Sequence, residues 1–160
     1  HATKQDPLAL RLAMLGADRV FDYAQHGGPK FSTGRLRTVL ERAACHPFLV
    51  QLIASRLFES RDLAVTLEQL AADEMVANYF AVDFGTLEPV ERDALAEVAR
   101  EGRRTRGELA RKLGRPEEDL DSPLYGLSML GYLARDGEAY RLANWFFERW
   151  LRRRVTGAAR

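Results

Sequence analysis

Residues 103–142, RRTRGELARKLGRPEEDLDSPLYGLSMLGYLARDGEAYRL, carry in order a helix start, a turn, a leucine-striped helix and a tight hairpin. Thr105-Arg106-Gly107-Glu108 has the spacing of a capping box, in which the threonine hydroxyl and the glutamate carboxylate each accept from the other's free backbone N–H. It predicts a helix with Leu109, Ala110 and Leu113 inward, closed by the turn Gly114-Arg115-Pro116. Leu120, Leu124, Leu127 and Leu130 recur at intervals of four, three and three residues, which predicts a third helix over roughly Glu117 to Leu130 with one apolar stripe. Proline is tolerated only in a first helical turn, so Pro123 is expected to kink this element or to restart it with Asp121 or Ser122 as the cap. Gly131 ends it. Tyr132–Arg135 and Glu138–Leu142 read as short strands joined by Asp136-Gly137, a strong two-residue hairpin signal.

The flanks complete the pattern. Val90, Leu95 and Val98 lie at helical spacing in a helix that ends at Glu101-Gly102, and an aromatic and basic helix runs from the hairpin to about Arg154. Three helices, a hairpin and a closing helix make the order of a winged helix-turn-helix with a small β-hairpin wing. Ahead of it the chain reads as helical throughout. Asp6-Pro7 opens a stretch that continues to about Gln25, broken by Gly27-Gly28-Pro29. Ser32 or Thr33 caps a helix with Leu36, Val39, Leu40 and Ala43 on one side and Arg35, Arg37 and Arg42 on another. Cys45-His46-Pro47 interrupts it, and a new helix begins with Pro47 in its first turn and Phe48, Leu49, Leu52, Ile53 and Leu57 inward. Thr66-Leu67-Glu68-Gln69 has the form of a second capping box, predicting a helix through Leu70, Met75 and Phe80 toward Phe84. The fold class expected is mainly α: a helical, lid-like domain over 1–85, a winged-helix domain over 86–155 and a tail over 156–160. No proline- or glycine-rich linker separates the two domains, so they are expected to pack together.

Composition limits the partners. The 24 basic side chains nearly cancel the 23 acidic ones, so any electrostatic partner must be selected locally rather than by bulk charge. A single cysteine, Cys45, excludes an internal disulfide framework, and no apolar run approaches the ~20 residues of a membrane span. A cytoplasmic chain without membrane partners is expected. It begins at His1 with neither methionine nor a signal-like apolar region, as a processed chain or an excised piece of a longer protein would.

Several residues carry a resemblance. Phe31 onward, with Leu36-Arg37-Thr38-Val39-Leu40-Glu41-Arg42-Ala43-Ala44 and then Cys45-His46-Pro47-Phe48-Leu49-Val50-Gln51-Leu52-Ile53, resembles the lid helices of AAA+-related ATPases of the STAND signalling class. Val65-Thr66-Leu67-Glu68 is similar to the family's next helix start, Leu87-Glu88-Pro89-Val90-Glu91-Arg92-Asp93 to the opening of its winged helix, and Tyr140 to Leu151 to its closing helix. The resemblance covers roughly residues 31 to 154. It implies a regulatory lid and winged helix that acts as a nucleotide-dependent switch. The proline matching Pro47 lies against the base of the nucleotide, and the winged helix docks on the nucleotide domain in one state and leaves it in another. Cys45 stands where the family usually has glycine.

The chain contains no Gly-Lys-Ser or Gly-Lys-Thr, so it offers no phosphate-binding loop of that type. No enzymatic activity and no cofactor are expected in this chain, with ATP or ADP belonging to a full-length parent and its nucleotide domain. No metal is expected either, because zinc needs about four converging ligands and His46 beside Cys45 has no others at a useful spacing. Gly126-Leu127-Ser128-Met129-Leu130 departs from a nucleophile elbow at its last position and sits on a leucine-striped helix.

Two surface groups remain. Glu117, Glu118, Asp119 and Asp121 are expected to dock against a basic surface of another protein domain. Arg103, Arg104, Arg106, Arg111, Lys112 and Arg115 form a basic run, extended by Arg100 and by Arg149, Arg152, Arg153 and Arg154, that raises the alternative of a DNA-binding regulator. That alternative is disfavoured, because a third helix carrying four carboxylates and no lysine or arginine brings like charge to the DNA phosphates.

Overall fold

The computed structural model describes residues 33–44 and 46–157. The expected stretch from Asp6-Pro7 to Gly27-Gly28-Pro29, and Cys45, lie outside them. The fold is mainly helical with a small three-stranded antiparallel sheet. The chain divides into two compact units, one ending at Leu70 and the other beginning at Ala71.

In the first unit, α1 (Thr33–Arg42) packs on α2 (Pro47–Ser60), and α3 begins at Leu63 and runs to Ala71. Val39, Leu40 and Ala43 of α1 and Leu49, Val50, Ile53 and Leu57 of α2 are buried, the spacing of one apolar stripe on each helix. His46 is the extended residue before α2, and Pro47 occupies the first turn, where its missing N–H is not needed. The expected capping box at Thr66 does not form. Asp62 caps α3 by accepting from the Val65 N–H at 3.1 Å, and the buried Thr66 hydroxyl donates to the Asp62 carbonyl at 2.7 Å from inside the helix. The helix therefore starts one turn earlier than expected and stops at Ala71. A separate helix, α4 (Glu74–Thr86), follows, capped by Asp73, whose carboxylate accepts from Met75 N at 2.8 Å.

The second unit is built around α5 (Pro89–Glu101), which buries Ala94, Leu95, Val98 and Ala99. Glu88 and Glu91 close a capping box at its start, and Gly102 ends it with φ +88°, a conformation that costs a residue with a Cβ. The link that follows contains β1 (Arg104–Thr105), and α6 (Arg106–Leu113) opens with the expected capping box: Thr105 N–H donates to Glu108 at 2.8 Å and Glu108 N–H to the Thr105 hydroxyl at 3.3 Å. The third element is divided, but neither Asp121 nor Ser122 caps the restart: Leu120 precedes the second part without a side-chain cap, and Asp121, Ser122 and Pro123 make its first turn. Glu118–Leu120 form a single 3₁₀ turn and α7 runs from Asp121 to Met129. Leu120, Leu124 and Leu127 are buried, but Leu130 is exposed, because α7 ends at Met129 and the last leucine of the stripe falls beyond the helical repeat.

The strands β2 (Leu133–Asp136) and β3 (Ala139–Leu142) pair with Asp136 opposite Ala139, so the two-residue loop is Gly137-Glu138 rather than Asp136-Gly137. Gly137 supplies the positive φ of +63°. This register sets the buried Leu133 and Leu142 opposite each other, which one residue's displacement of the loop would prevent. Arg104 and Thr105 pair with Tyr140 and Ala139, giving the sheet order β1-β3-β2.

The closing helix α8 (Trp145–Gly157) is capped by the buried Asn144, whose Oδ1 accepts from Phe146 N at 2.9 Å and Phe147 N at 3.2 Å. Phe146, Phe147 and Leu151 are buried along it. Phe147 meets Phe80 and Phe84 of α4 at ring-centroid distances of 5.4 and 6.4 Å, Tyr132 at 5.1 Å and Trp150 at 5.6 Å. One side chain thereby joins α4, the approach to β2 and α8. Phe147→Ala should destabilise the chain by about 3–5 kcal/mol, read as a lower urea midpoint, whereas Tyr125→Ala on the exposed side of α7 should leave the midpoint nearly unchanged.

Candidate functional site

The residues expected to contact partners gather in the second unit around β1, α6 and α7. Arg106 is the first residue of α6, where the helix dipole disfavours a cation. Two carboxylates offset this: its Nε donates to Glu117 Oε2 at 3.1 Å and its Nη1 to Asp121 Oδ1. Its hydrogen bonds to Asp121 and then to Glu117 raise its pKa above the already high arginine value. Gly107 lets Glu117 come close, since a Cβ there would stand 3.0 Å from Glu117 Oε1. Two of the four expected docking carboxylates are thus engaged with one of the six expected basic residues.

The rest of the basic run is dispersed. Arg103 reaches Asp136 of the hairpin at 3.6 Å with both side chains largely exposed, an arrangement of little energetic weight. Arg104 is mostly covered and pairs with Glu101 at 3.1 Å, and Arg111 turns back to the Gly107 carbonyl of its own helix. Arg100 pairs with Glu97. On α8, Arg152 donates to the Ala99 carbonyl at 3.0 Å and pairs with Glu148 at 2.9 Å, and Arg153 donates to the Ala71 carbonyl at 3.0 Å. Arg149 and Arg154 lie over aromatic rings, Arg149 at 4.7 Å from Trp145 and Arg154 at 5.5 Å from Trp150. Most of what reads as a basic run in sequence therefore holds the unit together. Lys112 and Arg115 are exposed and have no ion-pair partner among the described residues.

A shallow groove of about 550 Å³ lies along α6. Its lining mixes Arg111 and Arg115 with Glu108 and Glu117, so it concentrates neither sign of charge. The Glu108 carboxyl is held below the usual carboxylate range, chiefly by the Thr105 backbone and hydroxyl hydrogen bonds, which marks it as a capping group. Among the described residues no group of histidine, cysteine and carboxylate side chains is arranged to hold a metal ion. Ser128 donates to the Leu124 carbonyl at 2.7 Å inside α7, the bond of a helix-interior serine.

Glu118 and Asp119 differ from their neighbours. Both are exposed on the 3₁₀ turn and neither is engaged by a base among the described residues. Beyond them, Tyr125 (69%) and Met129 (66%) of α7 and Leu130 (66%) just past its end are exposed, a feature the sequence reading missed. The signal was there: Tyr125 and Met129 stand four apart on the side of the helix away from Leu124 and Leu127, and so share a face.

Pro47 is exposed at the start of α2 in the first unit. No described helix is long and apolar enough to cross a membrane.

A second polar cluster joins α4 to the sheet. Tyr132 donates to Asp83 at 3.2 Å, and Asp83 also faces Tyr79. Burial first, and the Asp83 charge second, push the Tyr79 hydroxyl up to about 12 and raise Tyr132 as well. Both hydroxyls keep their protons at neutral pH. Comparison of the chain with protein-family models, with curated proteins and with solved structures finds no match.

Because both tyrosines bind their protons more tightly folded than unfolded, their contribution to stability is complete below the ordinary tyrosine value of 10.0 and is lost as the pH rises through about 12. Asp83→Asn should bring phenolate absorbance and the alkaline loss of helical circular dichroism to lower pH. Identical alkaline titrations in the two proteins would show that the Asp83 charge does not act on these hydroxyls.

Proposed function

We propose that this chain is the non-catalytic regulatory part, helical lid plus winged helix, of a STAND/AAA+-like ATPase, serving as a nucleotide-dependent conformational switch and a protein-interaction module. The observation that carries the reading is the order of the second unit: α5, β1, α6, α7, a β2–β3 hairpin and α8, with β1 added to the far side of β3. That is the connectivity expected of a winged helix. It follows, without a long linker, a leucine-rich helical segment whose α2 starts at Pro47. On this reading ATP or ADP binds in the parent's nucleotide domain, Pro47 lies against its base, and the second unit docks or releases according to the nucleotide. The signal passes through protein contacts, for which an α7 surface free of lysine and arginine is suited.

The alternative, a DNA-binding winged-helix regulator, has less support. In that mode α7 enters the major groove, and it would bring Glu118, Asp119, Tyr125 and Met129 to the phosphates and base edges. Of the basic run, Arg103, Arg104 and Arg106 are already paired with carboxylates, which reduces the positive charge available to phosphates.

Two measurements test the proposal. The gene upstream of the codon for His1 should encode a strand followed by a Walker-type phosphate loop. In the parent so defined, exchanging ADP for ATP should change amide-exchange protection in α2 and α7, and reversing Glu117, Glu118 and Asp119 together should shift that balance while the isolated chain keeps its fold. Protection that is the same with either nucleotide would falsify the switch. For the alternative, titration of duplex DNA at low and moderate salt should show no binding; micromolar affinity that falls steeply with salt would favour DNA instead.

A further inference from the structure

We propose that the exposed face running from Glu118 to Leu130 binds a basic amphipathic helix of a partner protein, one that carries lysine or arginine at one end and large aliphatic side chains at the other. This rests on the interaction-module half of the proposed function and is independent of the nucleotide switch.

The face has two ends of different chemistry. At the α7 N-terminal end stand Glu118 and Asp119, exposed and unpaired among the described residues, while their neighbours Glu117 and Asp121 are held by Arg106. At the other end Tyr125 and Met129, four apart on one side of α7, are each about two-thirds exposed, as is Leu130 just past the helix end, while the opposite side of the helix is buried through Leu124 and Leu127. Large apolar side chains clustered in this way on one surface mark interaction sites more than isolated ones do. Tyrosine and methionine suit such a role, the first as a rigid amphipathic anchor and the second as an adaptable contact. The face is about 20 Å long at ~1.5 Å per residue, which a partner helix of roughly four turns would cover.

Charge selects the occupant. Unpaired carboxylates at one end favour a cationic partner and repel nucleic acid, and desolvating them against anything but a cation is costly. A second copy of this chain fits poorly. An antiparallel two-fold pairing of α7 would lay Glu118 and Asp119 of one copy on Met129 and Leu130 of the other, and a parallel pairing would set the carboxylates against each other. A partner with lysine at one end and leucine at the other satisfies both halves at once, in the manner of a helix laid along an apolar surface.

The probe is a synthetic peptide of about 18 residues, long enough to cover the face, with leucines at helical spacing along one half and lysines at the other, titrated into the full chain by fluorescence anisotropy. We expect micromolar binding that weakens with salt. Tyr125→Ser with Met129→Ser should lower affinity at least about tenfold, and Glu118→Lys with Asp119→Lys should lower it similarly and reduce its salt dependence. The substituted side chains are exposed, and unaltered helical circular dichroism would establish that each variant folds. No binding to the wild-type chain, equal binding of a glutamate-for-lysine peptide, or wild-type affinity in both face variants would each overturn the proposal. So would a wild-type dimer that the Tyr125 and Met129 substitutions dissociate. Loss of nucleotide-dependent movement in the parent, with peptide binding intact, would defeat the switch and leave this inference standing; the reverse outcome would defeat this inference alone.

Discussion

The second unit depends on the burial of Phe147. Its ring contacts Phe80, Phe84, Tyr132 and Trp150, and it is fully enclosed. The backbone donors of Phe146 and Phe147 are satisfied by the buried Asn144, so the cap that starts α8 also aims the ring at the core. Around this hub the basic residues of α8 have structural work: Arg152 and Arg153 donate to backbone carbonyls, and Arg149 and Arg154 cover aromatic faces. A segment that reads as a cationic surface is largely the outer layer of an aromatic core.

The same economy shapes the surface. Arg106 sits at a helix N-terminus, where a cation is disfavoured, and two carboxylates gather on it. Those bonds tie the start of α6 to the 3₁₀ turn and to the start of α7, and they leave Glu118 and Asp119 as the acidic groups still open to a partner. The groove beside α6 is charge-balanced for the same reason. What distinguishes this unit is therefore the outer side of the third element, where the exposed carboxylates of the 3₁₀ turn are followed by the exposed Tyr125 and Met129 of α7. A regulatory module that docks on proteins is consistent with such a surface, and a module that reads DNA through this helix is not favoured by it.

Local signals were legible wherever one residue determines its own backbone. The capping box at Thr105 and Glu108, the stop at Gly102 and the break at Pro47 are all in place, and the third element is divided with Pro123 in the first turn of its second part. The errors fell where two local solutions compete. Thr66-Leu67-Glu68-Gln69 has the letters of a capping box, but Asp62 caps the helix one turn earlier and the Thr66 hydroxyl turns inward. Asp136-Gly137 has the letters of a hairpin turn, but pairing the buried Leu133 with Leu142 moves the loop to Gly137-Glu138. The two-residue strand at Arg104–Thr105 has no sequence signal of its own, because its conformation comes from pairing with β3. The resemblance to STAND lids rests on sequence alone.

By itself the sequence determined the helical class, the helix boundaries that a single cap, proline or glycine sets, and the presence of the hairpin, because these follow from backbone freedom, capping and apolar period within a few residues. The tertiary structure alone decided which charges remain available and which apolar residues stay outside. Arg106 meets Glu117 and Asp121 across 11 and 15 residues of chain, and Arg152 meets Ala99 across 53. Charge and exposure are properties of neighbours in space, and no periodicity along the chain encodes which neighbour a side chain finds.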